Sequence, residues 1–366
     1  MATIVEPEPR RVIGGVDTHK DLHVAAVIDA VGRSLASQRF PATRHGYRSL
    51  LSWLRSHGEL EAVGVEGTGS WGAGLARYLT TRGVVVVEVN RPNRQNRRLR
   101  GKSDAIDAEA AARAVLNGQA TVTPKSGTGP VEAIRQLRIA RSGAMKARTA
   151  AANQLHSLCD TAPDPVRAQL APLSLTNKVA TAERWRPGSA TTVATAAKRA
   201  LTTVARRWRA LDDEARELDR HIKAILDQIA AALLAVHGVG YATASQLLVT
   251  AGDNPGRLGH EKSFAALCGS SPVQASSGRT NRHRLNRGGD RQANSALWTI
   301  VLTRMVSHAP TKAYVERRTT EGLSKTEIMR CLKRYVAREL YPHLQAITIA
   351  TTTLEQQHAN PANSHP

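Results

Sequence analysis

Acidic residues are scarce in this chain of 366: 30 Asp and Glu stand against 51 Lys and Arg, a formal charge of +21 with a pI near 10.8. Such an imbalance disfavours a cationic partner and points to a polyanion, nucleic acid first. Aromatic residues make up only 4%, which argues against recognition dominated by base stacking and favours arginine contacts to backbone and shape. Cysteine is rarer still. Cys159, Cys268 and Cys331 are odd in number and far apart, so they fit neither a disulfide framework nor a zinc set, and a reduced compartment follows. No apolar run reaches about 18 residues, and no signal-like apolar segment follows the acidic, proline-containing stretch Met1 to Arg10. The expectation is a soluble, intracellular protein with no membrane partner.

What is present has a clear order. From Arg11, alternating apolar residues predict strands over Val12 to Asp17, Leu22 to Asp29 and Ser34 to Phe40, an antiparallel meander turning at Asp29 to Gly32. A helix over Arg44 to Ser56, a strand over Ala62 to Glu66, a helix over Trp71 to Thr81 and a β-branched strand over Val84 to Val89 follow. An alanine-rich helix then spans Ser103 to Leu116. The order βββαβαβα differs from a dinucleotide fold, which starts with βαβ, and matches the ribonuclease-H-like order. The fold class expected is therefore multidomain, α/β plus all-α.

Residues 1–10 read as a disordered N-terminus and 11–125 as the sheet domain. A Gly/Pro/Ser/Thr-rich boundary lies at Thr121 to Pro130. Residues 130–230 form a helical region. Its first helix runs over Val131 to Leu158, and prolines at 163, 165, 172 and 187 make 160–188 irregular or only briefly helical, and open to motion. In its last helix, Leu201, Val204, Trp208, Leu211, Ala215, Leu218, Ile222, Ile225 and Ile229 recur in steps of three and four, the seam of a coiled coil. Its partner is either the Val131 to Leu158 helix, whose seam Arg141 and Arg148 interrupt, or a second copy of the chain; a plain amphipathic core helix is the bland alternative. Residues 231–350 read as a basic, helical C-terminal domain, and 356–366 as a disordered tail.

Four acids stand out. Asp17 and Glu66 each end an apolar strand, and Asp104 and Asp107 are three apart at the head of a helix, hence on one face. Carboxylates converging from two strands and a helix suit divalent metal, Mg²⁺ or Mn²⁺, acting on a phosphodiester. Acids in a first helical turn are also expected from the helix dipole alone. Directly before that helix, Arg91, Arg94, Arg97, Arg98, Arg100 and Lys102 form a basic run with no acid, suited to phosphate backbone or, blandly, to a solvated face. Gly238 and Gly240, in Val236 to Gly240, suggest a helix-hairpin-helix turn or a tight turn with no ligand. Ser276-Ser277-Gly278, followed by Arg279, Arg282, Arg284 and Arg287, suggests a nucleophile among guanidinium groups, although the composition is also that of an ordinary loop.

On these residues the chain resembles the DEDD transposases of bacterial insertion sequences, relatives of Piv-type DNA invertases and described as bridge-RNA-guided serine recombinases. The resemblance rests on Gly15 to Lys20, Val65 to Gly69, Lys102 to Ala108, Gly238 to Gly240 and Pro272 to Gly278. It implies a RuvC-like domain whose DEDD set falls on Asp17, Glu66, Asp104 and Asp107, a coiled coil, and a transposase domain whose nucleophile falls on Ser277, with Ser276 adjacent. It further implies a covalent 5′-phosphoserine link, Mg²⁺ at the acids, donor and target DNA, a noncoding bridge RNA, a homo-oligomer (dimer or tetramer), and a place in the bacterial cytoplasm near the nucleoid. Two rivals stand beside it: a junction-resolving nuclease that activates water at the acids, and a noncatalytic nucleic-acid scaffold.

Overall fold

A computed structural model describes residues 10–89, 103–254, 257–279 and 283–359, the last nine by backbone alone. It divides the chain into two compact units: residues up to Gly129 with Gly252–Gly259, and Pro130–Ala251 with His260 onward.

In the first unit, strand periodicity decides what each face meets. Five strands, β1 (Arg11–Thr18), β2 (Leu22–Asp29), β3 (Ser34–Pro41), β4 (Glu59–Glu66) and β5 (Val85–Val89), form one sheet in the order β3-β2-β1-β4-β5. The first three pair antiparallel, as the meander predicts, whereas β1–β4 and β4–β5 are parallel. Val12 and Val16 of β1, with Val63 and Val65 of β4, face helices α1 (Arg44–Arg55) and α2 (Ala73–Thr81) and bury Leu50, Leu54, Leu75 and Leu79. Each such leucine, removed from water, contributes about 1.5–3 kcal/mol.

Alternate residues look the other way. Ile13, Gly15 and Asp17 of β1, and Ala62, Gly64 and Glu66 of β4, share the opposite face, covered by helix α3 (Asp104–Leu116). Gly15 and Gly64 are direct register partners. A methyl on Gly15 would lie 2.1 Å from the Ala108 carbonyl oxygen, and one on Gly64 2.7 Å from that of Ala111. The paired glycines thus make a floor on which an alanine-faced helix rests backbone to sheet. The sheet is sandwiched between helical layers, the order expected of a RuvC-like fold.

The chain returns to this unit at 252–259. The Asn254 amide donates to the Pro124 carbonyl at 2.7 Å, and its oxygen accepts from the Ser126 amide at 3.1 Å. Arg257 lies 3.8 Å from Glu88. One side chain pins the segment through two backbone groups.

The second unit is helical. Helix α4 (Pro130–Asp160) is followed by short helices α5 (Asp164–Leu170) and α6 (Leu175–Arg184), then by α7 (Val193–Ile229). The prolines keep 160–188 to brief helices, as expected, yet Val166, Leu170, Val179 and Ala182 are buried in one core with Leu155, Leu201 and Trp208. The segment is anchored by apolar packing. Helix α7 lies along α4. Leu201, Val204, Trp208, Ala215 and Ile222 of the seam are buried, and Leu211, Leu218, Ile225 and Ile229 are half-buried, so α4 covers much of the seam from within the chain.

The arginines that interrupt the α4 seam have partners. Arg141 reaches Asp219 at 2.5 Å and Arg148 pairs with Asp212. Both residues advance by one heptad on α4 and retreat by one on α7, which makes the helices antiparallel. Asp212 also holds Arg216 at 2.8 Å, and the Arg148 guanidinium lies over the Trp208 ring at 5.6 Å.

Beyond α8 (Ala231–Leu234), helices α9 (Tyr241–Ala251), α10 (Glu261–Leu267), α11 (Arg291–Ser307), α12 (Ala309–Thr320) and α13 (Lys325–Ala359) complete the unit, with a small pair of strands, β6 (Val273–Gln274) and β7 (His283–Arg284). No proline or glycine stands between Pro342 and Pro361, and α13 runs on to Ala359. Residues 356–359 are therefore helical, and 360–366, like 1–9, lie outside the described residues. Among the described residues no helix is long and apolar enough to cross a membrane.

Candidate metal centre and nucleic-acid interface

The glycine floor determines where the acids meet. Asp17 and Glu66 stand two residues beyond Gly15 and Gly64, so their side chains rise from the face on which α3 lies. The helix begins there. Ser103, in extended conformation, caps it by accepting from the Ile106 amide at 3.3 Å, which places Asp104 and Asp107 in the first turn over the strand ends. The Thr18 hydroxyl donates to the Glu66 carbonyl at 2.9 Å and ties the two strand ends together.

Asp17, Glu66 and Asp107 are buried, at 8, 7 and 5% exposure; Asp104 is half-buried. His19, two residues after Asp17 on the same side, brings its Nε2 to 3.2 Å from Asp17 and 3.5 Å from Asp104. Ligand atoms of Asp17, His19 and Asp104 all lie within 4.8 Å of one another. Burial pushes the Asp17 carboxyl above its ordinary range; His19 opposes this, and the charges of Asp107 and Asp104 add to it. Crowded carboxylates that raise one another's proton affinity compete for any cation, and oxygen donors with one imidazole suit Mg²⁺ or Mn²⁺. The residues present fit such an ion. Trp71, 55% exposed and 6.4 Å ring to ring from His19, stands beside them.

His19 was not singled out by the sequence reading. Its signal was the i, i+2 spacing from Asp17, which puts both on one side of an extended chain. Asp29, by contrast, accepts from the Val31 and Arg33 amides and from Arg33 Nε, and Glu109 pairs with Arg113 at 2.6 Å. Both acids are tied up in local structure.

Residues 14–162 match the family of DEDD transposases of IS110 type, described as "Transposase", and residues 230–316 match "Transposase IS116/IS110/IS902 family". The two matches together cover more than half of the chain. It belongs to the IS110 family of transposases. A stretch of 142 residues, 37% of the chain, is 30% identical to the insertion element IS110 uncharacterized 43.6 kDa protein of Streptomyces coelicolor. The chain spans about a third of the length of that curated relative, 34%.

The remaining site residues of this IS110-family chain fall as follows. Arg91, Arg94, Arg97, Arg98, Arg100, Lys102 and Arg282 lie outside the described residues. Gly238, at φ +83°, packs its turn against the Ile300 carbonyl and Arg304, while the Gly240 amide donates to the Thr243 hydroxyl at 3.0 Å. Arg304 also donates to the His237 carbonyl at 2.8 Å and is held by Glu339, so the glycine turn has a packing role. Ser276, Ser277 and Arg279 are exposed between the two short strands, with Gly278 at φ +53°. Arg284 and Arg287 are exposed beyond them. The acids belong to the first unit and the serine loop to the second.

Proposed function

We propose that this protein is a transposase that cuts and rejoins DNA at an insertion sequence, with Asp17, Glu66, Asp104 and Asp107 holding Mg²⁺ or Mn²⁺ and Ser277, or its neighbour Ser276, making the attack. The observation that carries the reading is the approach of Asp17, His19 and Asp104 to within 4.8 Å of one another, with Asp107 close enough to act on Asp17. A divalent ion there would supply charge stabilisation at the phosphoryl oxygens. The acids, for their part, orient it, and His19 at hydrogen-bond distance from Asp17 adds a nitrogen donor.

In the proposed step the serine Oγ forms a bond to phosphorus as the bond to the DNA 3′ oxygen breaks. The hydroxyl proton leaves the serine, the 3′ oxygen departs as an alcohol, and the 5′ phosphate stays on the protein. Attack by a different 3′ hydroxyl reverses the step and joins new ends, so phosphoester energy is conserved. Support for the serine comes from its exposure on a tight turn followed by arginines. A structured noncoding RNA that pairs with donor and target DNA would set sequence choice, in a homo-oligomer of two or four copies.

The test is a cleavage assay with DNA carrying the element's ends and RNA transcribed from its flank. Wild-type protein is expected to yield a covalent protein–DNA adduct that Ser277→Ala abolishes. Cleavage that persists without any adduct would instead indicate a junction nuclease using water at the acids.

A further inference from the structure

A cationic cleft in the second unit joins two arginines of the serine-loop run, Arg284 and Arg287, to a helix that no motif singles out. A cleft of about 1000 Å³ opens between the segments Cys268–Pro272 and His283–Arg291 on one side and α13 on the other. Among the described residues lining it are seven cationic side chains and no carboxylate. Arg330, Lys333, Arg334 and Arg338 recur at helical spacing, so one face of α13 presents them together. Arg334 holds Glu261 through both terminal nitrogens, at 2.5 and 2.7 Å, Arg338 acts on the same carboxylate from further off, and Arg330 lies near Glu327. Lys333 reaches only a neutral group, the Asn294 side-chain oxygen, at 2.9 Å. Burial, with Arg330 beside it, lowers the proton affinity of that ammonium.

Gathering like charges in a concave site is unfavourable unless a polyanion neutralises them. A small anion would need two or three cations, whereas seven line an open cleft, which suits a chain of phosphates. The lining is otherwise polar and small, and Tyr335, 48% exposed, is its one aromatic side chain. Backbone contacts dominate such a surface, since the Arg338 guanidinium already lies over the Tyr335 ring at 5.8 Å.

We propose that this cleft seats the phosphodiester backbone of a nucleic-acid strand, held by Arg284 and Arg287 from the loop and by Arg330 and Arg338 from α13. The proposal rests on the nucleic-acid reading above and deepens it: it adds the C-terminal helix to the interface.

The test measures binding of the full chain to duplex DNA, single-stranded DNA and the flank-derived RNA across a salt series, with EDTA present so that cleavage plays no part. Arg330→Glu with Arg338→Glu should weaken binding more than tenfold and flatten the log–log salt slope by about 2, one for each lost phosphate contact. The same change at Arg206 and Arg207, exposed on α7, should leave both within twofold. Loss confined to RNA, or to DNA, identifies which strand occupies the cleft. Unchanged binding, or an equal loss from the α7 control, overturns the proposal. Wild-type protein that binds no nucleic acid at all would overturn the transposase reading itself. Should the paired variant fail to fold, photocrosslinking of wild-type protein to thio-substituted strands decides instead: adducts on peptides containing 284–291 or 330–338 support the cleft, and adducts only elsewhere refute it.

Discussion

Asp212 in the second unit and Asp17 in the first are both buried acids, at 2 and 8% exposure, and their surroundings are opposite. Asp212 sits between two guanidinium groups, those of Arg148 and Arg216. Among the described residues, the charges acting on Asp17 are one imidazole and two further carboxylates. The first arrangement is complete within the chain and locks two long helices in register. The second gathers negative charge for which a divalent cation is the fitting complement. Burial alone therefore does not mark an acid for function; the charges around it have to be read with it.

The comparison can be broken in order of expected effect. Arg148→Met leaves Asp212 with only the exposed Arg216, and breaking a buried pair in this way costs about 3–5 kcal/mol; chemical denaturation should show the loss. Arg148→Met together with Asp212→Leu should restore most of it, because the desolvation penalty then disappears from both sides. If the single variant is as stable as wild type, the pair does not hold the helices.

Gly15→Ala is next. Its methyl would fall 2.1 Å from the Ala108 carbonyl oxygen, so α3 must lift from the sheet, at about 1–3 kcal/mol for such overpacking. Asp104 and Asp107 move with it, and Mn²⁺ affinity should fall by more than the stability loss alone explains. A variant that melts lower but binds Mn²⁺ unchanged would separate the glycine floor from the metal centre.

Asp17→Asn should act in the opposite sense on stability. A carboxyl whose folded-state affinity for protons is raised by burial is destabilising once ionised: its penalty is absent below its ordinary pKa and grows as pH rises through the raised value. The neutral amide should therefore melt higher than wild type in EDTA at neutral pH, and lose the stabilisation that Mn²⁺ gives wild type. A lower melting point in EDTA would show that the negative charge is already balanced.

The smallest effect concerns Glu339. The hydrogen bond from Arg304 holds its carboxyl below the ordinary carboxylate range. Its contribution is present above the ordinary value and lost as pH falls through the lowered one. Glu339→Gln should thus narrow its stability gap to wild type toward acid pH, followed by thermal melts; a gap that stays constant would place the effect in packing.

Much of the first unit is legible in sequence, because strand alternation tells which residues share a face and because Asp104 and Asp107 carry their helical spacing openly. The glycine floor was not, since only the register of β1 against β4 brings Gly15 beside Gly64. His19 carries a signal only in its two-residue spacing from Asp17, and a single histidine at a strand end has no further mark in the sequence. In the second unit, Arg141 and Arg148 read as interruptions of a seam. Their partners lie 78 and 64 residues away, a distance over which sequence spacing says nothing. The basic face of α13 was written in its spacing, but the loop that closes the cleft against it comes from another part of the chain.

Whether the crowded acids form a divalent-metal centre is decided by Mn²⁺ binding followed calorimetrically. Wild-type protein is expected to bind Mn²⁺ in competition with Mg²⁺, and Asp104→Asn to weaken that binding by at least about tenfold, the lower end of what loss of even an outer-shell partner costs. Equal Mn²⁺ affinity in wild type, Asp104→Asn and Asp17→Asn would contradict the metal centre.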